Sequence, residues 1–408
     1  MPIELAAANG ESRILTFNSG SSSIKLSLYC MGHAETLLLS GLIENIGQDA
    51  GFFSVKAADG AALFERRADV PDHDSALRLF FEWFDNSPAR RGVKAVGHRV
   101  VHGGERYVRP GMVDDGLLQA LNALVALAPD HLPQEIKAIS EFRRLHPDLP
   151  QAACFDTAFH RSMPAVAQLY ALPEEVRRQG VLRYGFHGLS YEYILSEFTQ
   201  TAGAEVANNR VIIAHLGNGA SMGAFRNRKS VDTTMGFTPA GGLVMSSRSG
   251  DLDPGVIVYL FKEKGVDASA LNRMVNKQSG LLGVSGTSSS MRELLDNEPL
   301  DSRAAAAVEL FCYQAKKFVG ALSAVLGGLD TLIFTGGIGE NSPPIRERIC
   351  RGLDFLGIAL DQDRNRQNSP IISHDRSAVT IRVMKTNEEL MIARHTYSLI
   401  KQRRDTNR

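Results

Sequence analysis

Two stretches, ILTFNSGSSSIKLSLY (residues 14–29) and VIIAHLGNGASMGAF (residues 211–225), each set apolar, strand-like runs on either side of a short glycine- and serine-rich turn. Apolar runs broken by Gly, Ser and Asn predict a β-hairpin at each place. Lys25 follows the first turn on the outgoing strand, because Ile24, Leu26 and Leu28 alternate with Lys25 and Ser27. Helical spacing predicts helices over Asp74–Phe84, where Leu77, Phe80, Phe81 and Phe84 share a face, over Ala304–Leu326, and over Glu388–Ile400. Gly327 and Gly328 read as a helix stop, and TLIFTGG (residues 331–337) as a buried strand. In the following GIGENSPPIRERI, Ser342 is the expected N-cap and Pro343 the first helical residue. The last eight residues, KQRRDTNR, read as a solvated, frayed tail. Strands alternating with helices predict an α/β chain with mixed sheets. The repeated hairpin predicts a duplicated fold with one anion-binding loop in each half.

Small residues let backbone N–H groups approach an anion closely, so both turns suit phosphate. Neither is a Walker loop, which ends in Lys followed by Ser or Thr and opens a helix. GNGASMG (residues 217–223) also lacks the spacing and the following helix of a dinucleotide fingerprint.

Composition narrows the function classes. The 408 residues suffice for two domains, and Lys plus Arg (45) balance Asp plus Glu (45). No net field favours nucleic acid or an anionic membrane, so anion affinity must come from local clusters. Glu4 stands where a secretory leader would carry basic residues, and no apolar run is long enough to span a bilayer. Cys30, Cys154, Cys312 and Cys350 are scattered, without CxxC spacing, and read as reduced thiols of a cytoplasmic protein.

The remaining polar clusters supply candidate chemistry. GHRVVHGGE (residues 97–105) sets Arg99 and His102 around a valine pair, and CFDTAFH carries Asp156. RYGFHGLSY puts His187 between glycines, and SSRSGDLDP offers Arg248. Singly, each also fits a surface ion pair or a capped turn. Together they match phosphoryl transfer, which needs cations to spread developing charge, an acid for a metal, and rigid loops for alignment. Asp156 or Glu388 could supply that acid. Zinc and calcium motifs are missing, leaving a labile magnesium carried by nucleotide phosphates.

In sequence order, NSGSSSIK, GHRVVHGGE, FDTAFHRSMP, RYGFHGLSY, HLGNGAS, SRSGDLDP, FTGGIGENS and TNEELMIAR make the chain resemble the acetate kinases. These form the acetokinase group of the actin, sugar-kinase and heat-shock ATPase superfamily. The resemblance runs from Ile14 to about His395. It implies two actin-like (ribonuclease H-like) domains with the active site in the cleft between them. Residues 1–160 with 388–408 would form one domain and 161–387 the other. It implies reversible, direct in-line transfer between ATP and acetate, giving acetyl phosphate and ADP, with Mg2+ or Mn2+. A cytoplasmic homodimer is expected, without nucleic-acid or membrane partners.

Residue by residue, the resemblance makes Asn18 and Glu388 metal-site residues and Lys25 a nucleotide contact. Arg99 would hold the acid's carboxylate, with Val101, His131 and Pro239 lining its pocket. Asp156 would be the catalytic aspartate, and His187 and Arg248 would stabilise the transferring phosphoryl. His215, Leu216, Gly217, Asn218 and Gly219 would line the phosphates. Gly336, Gly337, Ile338, Gly339, Glu340 and Asn341 would lie by the nucleotide, with Ser290, Met291 and Arg292. A carboxylate acceptor is already ionised near neutral pH, so Asp156 is expected to organise Arg99 rather than accept a proton.

Three strings depart from the family pattern. PDHLPQE (residues 129–135) replaces PLHNPAN and brings Asp130 towards the acid pocket. Ser290 stands where the family has an aspartate, and TPAGGLVMSSRSGD, with Ala240 and Gly241, replaces TPLEGLMMGTRSGD. A kinase for propionate or another short carboxylic acid is therefore the close alternative. A nucleotide-gated binding or regulatory protein is the more distant one.

Overall fold

The computed structural model describes residues 11–406. The chain parts into two compact units, one made of the residues up to Ala158 together with those from Asn387 onward, the other of Phe159–Thr386.

The first unit is built on an eight-stranded sheet of β1 (Ser12–Ser19), β2 (Ile24–Met31), β3 (Glu35–Glu44), β4 (Gly51–Ala57), β5 (Ala62–Ala68), β6 (Val93–Val100), β7 (Gly111–Met112) and β8 (Gln151–Phe155). Its order is β5-β4-β3-β2-β1-β6-β8-β7. β1 and β2 form the first expected hairpin, with Asn18 opposite Lys25. Both faces of the sheet are covered, so β1 and β2 are buried almost throughout. On one face Leu15, Phe17, Leu26 and Leu28 pack with Phe80 and Phe84 of the His73–Asn86 helix and Phe142 of the Leu132–Leu145 helix. The Phe17 ring lies 4.9 Å from Phe80 and 5.3 Å from Phe142, edge on. On the other face Ile14, Tyr29, Met31 and Ala95 meet Ala393 and Ile400 of the C-terminal helix, Glu388–Thr406.

The second unit carries β9 (Val211–Leu216), β10 (Ala220–Arg226), β11 (Lys229–Thr233), β12 (Thr331–Thr335) and β13 (Thr380–Val383) in the order β11-β10-β9-β12-β13. β9 and β10 are the second expected hairpin. Tyr191, Ile194 and Phe198 of the Gly188–Ala202 helix pack on Val211, Ile213 and Phe225. The Ser302–Leu326 helix packs against β9, β10 and β11 and ends at Gly327, whose left-handed φ of 71° suits glycine.

The duplication is visible in the pairing senses. In the first unit β3-β2-β1 is antiparallel and β1-β6-β8 parallel. In the second, β11-β10-β9 is antiparallel and β9-β12-β13 parallel. Each half thus places its glycine-rich turn between the first two strands of the same motif.

Two local expectations change. Helix begins at Gly336, directly after β12, so a Gly336–Asn341 turn precedes the Pro343–Cys350 helix. Ser342 stands at the cap position, but its side chain makes no capping hydrogen bond. The C-terminal helix continues past Ile400 to Thr406 rather than fraying, because Lys401, Gln402 and Arg403 are good helix formers and basic residues suit a helix C-terminus. The end of the tail, residues 407–408, and Glu4 lie outside the described residues.

All four cysteines are buried thiols outside any disulfide among the described residues. Burial pushes the Cys312 and Cys350 thiols up to about 12, against any role as thiolates. No described helix is long and apolar enough to cross a membrane.

The C-terminal helix sits so close to β6 that Gly97 has no room for a side chain. A Cβ there would lie 2.2 Å from Thr396 Oγ1 and 2.6 Å from Ile392 Cγ2. Gly97→Ala is therefore expected to destabilise the first unit by about 1–3 kcal/mol, read as a lower urea midpoint. An unchanged midpoint would show that the helix is not seated on β6 in this way.

Candidate active site

In the first unit the chemistry gathers where β1, β6 and β8 end. Arg99, next to last in β6, is 17% exposed and is held from one side by Asp156, just beyond β8. Its Nε donates to Asp156 Oδ1 at 3.1 Å and its Nη2 to Oδ2 at 2.5 Å. This two-pronged pairing fixes the guanidinium plane. Glu388, first residue of the C-terminal helix, places Oε2 3.8 Å from Arg99 Nε. Nη1 of Arg99 donates to Asn18 Oδ1 at 3.4 Å. Burial alone would favour a neutral Arg99, but Asp156 and Glu388 more than compensate and hold it firmly charged. Burial pushes the Glu388 carboxyl up, against the pull of Arg99 and Lys25.

The backbone here is equally constrained. Asp156 N–H donates to Val100 O at 3.0 Å, and Gly103 N–H to Thr157 Oγ1 at 3.1 Å. Val101, buried, donates its N–H to Glu135 Oε2 at 3.0 Å. Glu135 lies in the first turn of the Leu132–Leu145 helix, with His131 at its N-cap position and Asp130 half-buried just before. In the first hairpin turn Gly20 N–H donates to Ser23 O at 2.8 Å. The buried hydroxyl of Ser19 makes no hydrogen bond among the described residues.

In the second unit a different set converges on the second hairpin turn. His187, at φ 60°, precedes the Gly188–Ala202 helix. Its Nδ1 pairs with Ser221 Oγ at 2.9 Å, which turns Nε2 away from that hydroxyl. The His187 and His215 rings stack with centroids 4.2 Å apart. His215 Nδ1 is in turn 2.8 Å from Ser190 Oγ, and Ser190 Oγ is 2.7 Å from Thr386 Oγ1. Arg248 Nη1 donates to the Pro239 carbonyl at 3.3 Å. Ser246 N–H donates to Asn218 O at 3.2 Å, tying the Arg248 loop to the hairpin turn. A Cβ on Gly219 would lie 3.3 Å from His187 Nε2 and 3.5 Å from Arg248 Nη1. Only a glycine leaves that space open to a ligand. Leu216 ends β9, and Gly336 (φ 78°) crosses its backbone so closely that a Cβ would come within 2.8 Å of Leu216 O. Glu340 pins this crossing by accepting from Gly336 N–H at 2.9 Å and Thr386 N–H at 3.1 Å.

Asn18, Arg99, Asp156 and Glu388 are thus one cluster, and His187, His215, Gly217–Gly219 and Arg248 another, with Gly336–Asn341 beside the second. Ser290, Met291 and Arg292 are not drawn to that turn by any hydrogen bond among the described residues. Ser290 Oγ caps the Met291–Asn297 helix by accepting from Glu293 N–H, and Met291 is buried. Sequence reasoning missed Glu135, Ser190, Ser221 and Thr386, the supporting partners. Ser221 was within reach of the pattern, two positions after Gly219 on the outgoing strand.

A metal can be tested against this geometry. The described residues hold no group of three or more His, Cys, Asp or Glu side chains able to cage an ion. Asn18 and Glu388 instead offer two hard oxygen donors beside Arg99, which fits an ion that keeps waters and arrives with phosphates.

The chain matches the model of the acetokinase family over residues 13–394. It is 46% identical to an acetate kinase of Rhodopseudomonas palustris over 95% of this chain and 98% of that relative. A crystal structure of a propionate kinase from Francisella tularensis superposes with a TM-score of 0.89 at 37% identity, covering 95% of this chain and all of that one. The acetate kinase of Porphyromonas gingivalis gives 0.86 at the same identity and coverage. With an actin-like motif in each half and near full-length similarity, the chain belongs to the acetokinase family.

Proposed function

We propose that the protein is an acetate kinase, catalysing reversible phosphoryl transfer between ATP and acetate. The observation that carries this reading is the guanidinium of Arg99, locked by Asp156 beside an apolar Val101, where a small carboxylate with a methyl group finds both of its needs. Arg99 pairs with the acetate carboxylate and leaves one oxygen to attack the γ-phosphorus. The new O–P bond forms as the bond to the β-γ bridging oxygen breaks, and ADP leaves with that electron pair. No proton needs to be removed, since acetate is already ionised. Asp156 therefore serves as the organiser of Arg99.

His187 and Arg248 stabilise the charge that develops on the transferring group, and the second hairpin turn holds the phosphates. Tied at Nδ1 to Ser221, His187 turns Nε2 towards the space over Gly219, where the phosphoryl oxygens would lie. Lys25 and residues 336–341 contact the nucleotide. Asn18 and Glu388 would hold a magnesium ion, which when bound neutralises phosphate charge. His131, at the N-cap of the Leu132–Leu145 helix, adds to the acid pocket.

Propionate is the second reading, favoured by Ala240 and Gly241 in the loop after Pro239, which take less space than the family's Leu and Glu. We further propose a cytoplasmic homodimer. The Pro254–Lys264 helix supports it, since it has no buried residue and exposes Val256, Val258, Tyr259 and Phe261.

An acyl-hydroxamate assay tests the substrate. Acetate is expected to exceed propionate in kcat/KM, by a ratio within about 10–200-fold because one methylene is worth about 1–3 kcal/mol. A preference for propionate or butyrate would overturn acetate as the substrate. Arg248→Ala should lower kcat by about 10²- to 10³-fold with an unchanged fold by circular dichroism. Near-normal turnover would remove Arg248 from the phosphoryl site.

A further inference from the structure

The Leu132–Leu145 helix turns a carboxyl group inward. Leu132, Ile136 and Ile139 form its apolar stripe, and Glu135, 2% exposed, lies on the same side. Burying an acid is costly unless it is paired or protonated. Glu135 accepts a hydrogen bond from the Val101 backbone N–H at 3.0 Å. Val101 is two residues from Arg99, so Glu135 grips the strand end that presents the guanidinium. It is also the last residue of PDHLPQE, where the family string PLHNPAN has an amide.

The charge balance around Arg99 gives this position a consequence. Arg99 already faces two carboxylates, Asp156 and Glu388. A third anion nearby would compete with the carboxylate that Arg99 is there to bind. We propose that Glu135 is a positioning residue of the acid site: buried behind Val101, it fixes the strand end that presents Arg99 and governs how much of the Arg99 charge is left to a carboxylate ligand. The proposal rests on the acetate kinase reading above.

Electrostatics agree with the geometry. Burial pushes the Glu135 carboxyl up to about 8; the Val101 N–H and Arg99 pull it down, and Asp156 adds to the rise. At neutral pH the group is therefore mostly protonated, and its carbonyl oxygen still accepts from Val101. The other charged groups around the helix are placed differently. Lys137 pairs with Asp74 of the His73–Asn86 helix and Arg143 with Asp115 of the Asp115–Ala123 helix. His98 on β6 is buried against Gln151, and burial drops it to about 4, so it stays neutral. Asp130 and His131 precede the helix, and Asn18 on β1 is uncharged.

The sign follows from linkage. Glu135 holds its proton more tightly in the folded protein than when unfolded, so its contribution to stability is full below about 4.5 and is lost as pH rises to about 8. By reciprocity, a bound carboxylate raises the proton affinity of Glu135, and ionised Glu135 weakens carboxylate binding.

The test measures KM for acetate and for ATP from about pH 6.5 to about pH 9.5 in the wild type and Glu135→Gln, together with protection by acetate against thermal unfolding. The wild-type KM for acetate should rise by about tenfold above pH 8 while that for ATP stays flat, and protection should fade in parallel. Glu135→Gln should keep the low-pH KM and protection throughout. A flat wild-type profile, or a Gln variant that follows the wild type, overturns the proposal. Should Glu135→Gln not fold, Glu135→Asn carries the same expectation. Absence of acid-dependent turnover would defeat the acetate kinase reading alone. The pH dependence of acetate protection would then decide the role of Glu135, and no protection at any pH would count against it.

Discussion

The first unit depends on the buried pairing of Arg99 with Asp156. A guanidinium that is only 17% exposed is tolerable because two of its N–H groups are matched by a carboxylate that is almost fully buried. The attraction within such a pair does little more than offset the cost of taking both charges out of water, so its value lies in orientation more than in stability. Everything around it serves to hold that orientation. The Asp156 backbone is tied to Val100, the Val101 backbone to Glu135, and Gly97 is hollowed out so that the C-terminal helix can bring Glu388 to the same place. A chain end folded back onto the opening sheet thus supplies a charge that no neighbour in sequence could provide.

The second unit solves a different problem with the same sheet motif. A phosphate needs many weak donors at close range rather than one fixed cation. In the turn at Gly217–Gly219 two glycines flank Asn218, whose side chain is tied to Ser246, while His187 and Arg248 approach from adjoining loops; under the proposed function that open space takes the phosphates. Ser221, Ser190 and Thr386 keep the two histidine rings stacked, so the donors are in place before a ligand arrives. Such preorganisation is what makes electrostatic stabilisation effective. Glu340 performs the corresponding task for the Gly336 turn, binding three separate groups with one carboxylate oxygen.

Both hairpins and the long helices were legible in the sequence, because apolar runs broken by small residues mark the hairpins and helical spacing marks the helices. The glycine-rich turns were legible too, and so were Arg99, Asp156, His187 and Arg248 as polar residues among small ones. Partners brought together by the sheet were not. Nothing local connects Glu388 with Arg99, and Ser190 gives no sign that it will meet Thr386. Gly336 read as the end of a strand, since Thr331–Gly337 is apolar or small throughout, yet its left-handed backbone starts a helical turn. Glu135 did leave a trace, an acid on the apolar stripe of an amphipathic helix. Its partner, the Val101 N–H, lies far away in sequence and is brought to it by the fold.

Under the proposed function, the acid site depends on Asp156 holding Arg99 for a carboxylate. Steady-state kinetics and nucleotide binding of Asp156→Asn test this most directly. The account predicts that kcat/KM for acetate falls by about 10²-fold or more, the scale set by misplacing a positioning group, while ATP affinity stays within about threefold. Unchanged acetate kinetics in a folded Asp156→Asn protein would contradict it.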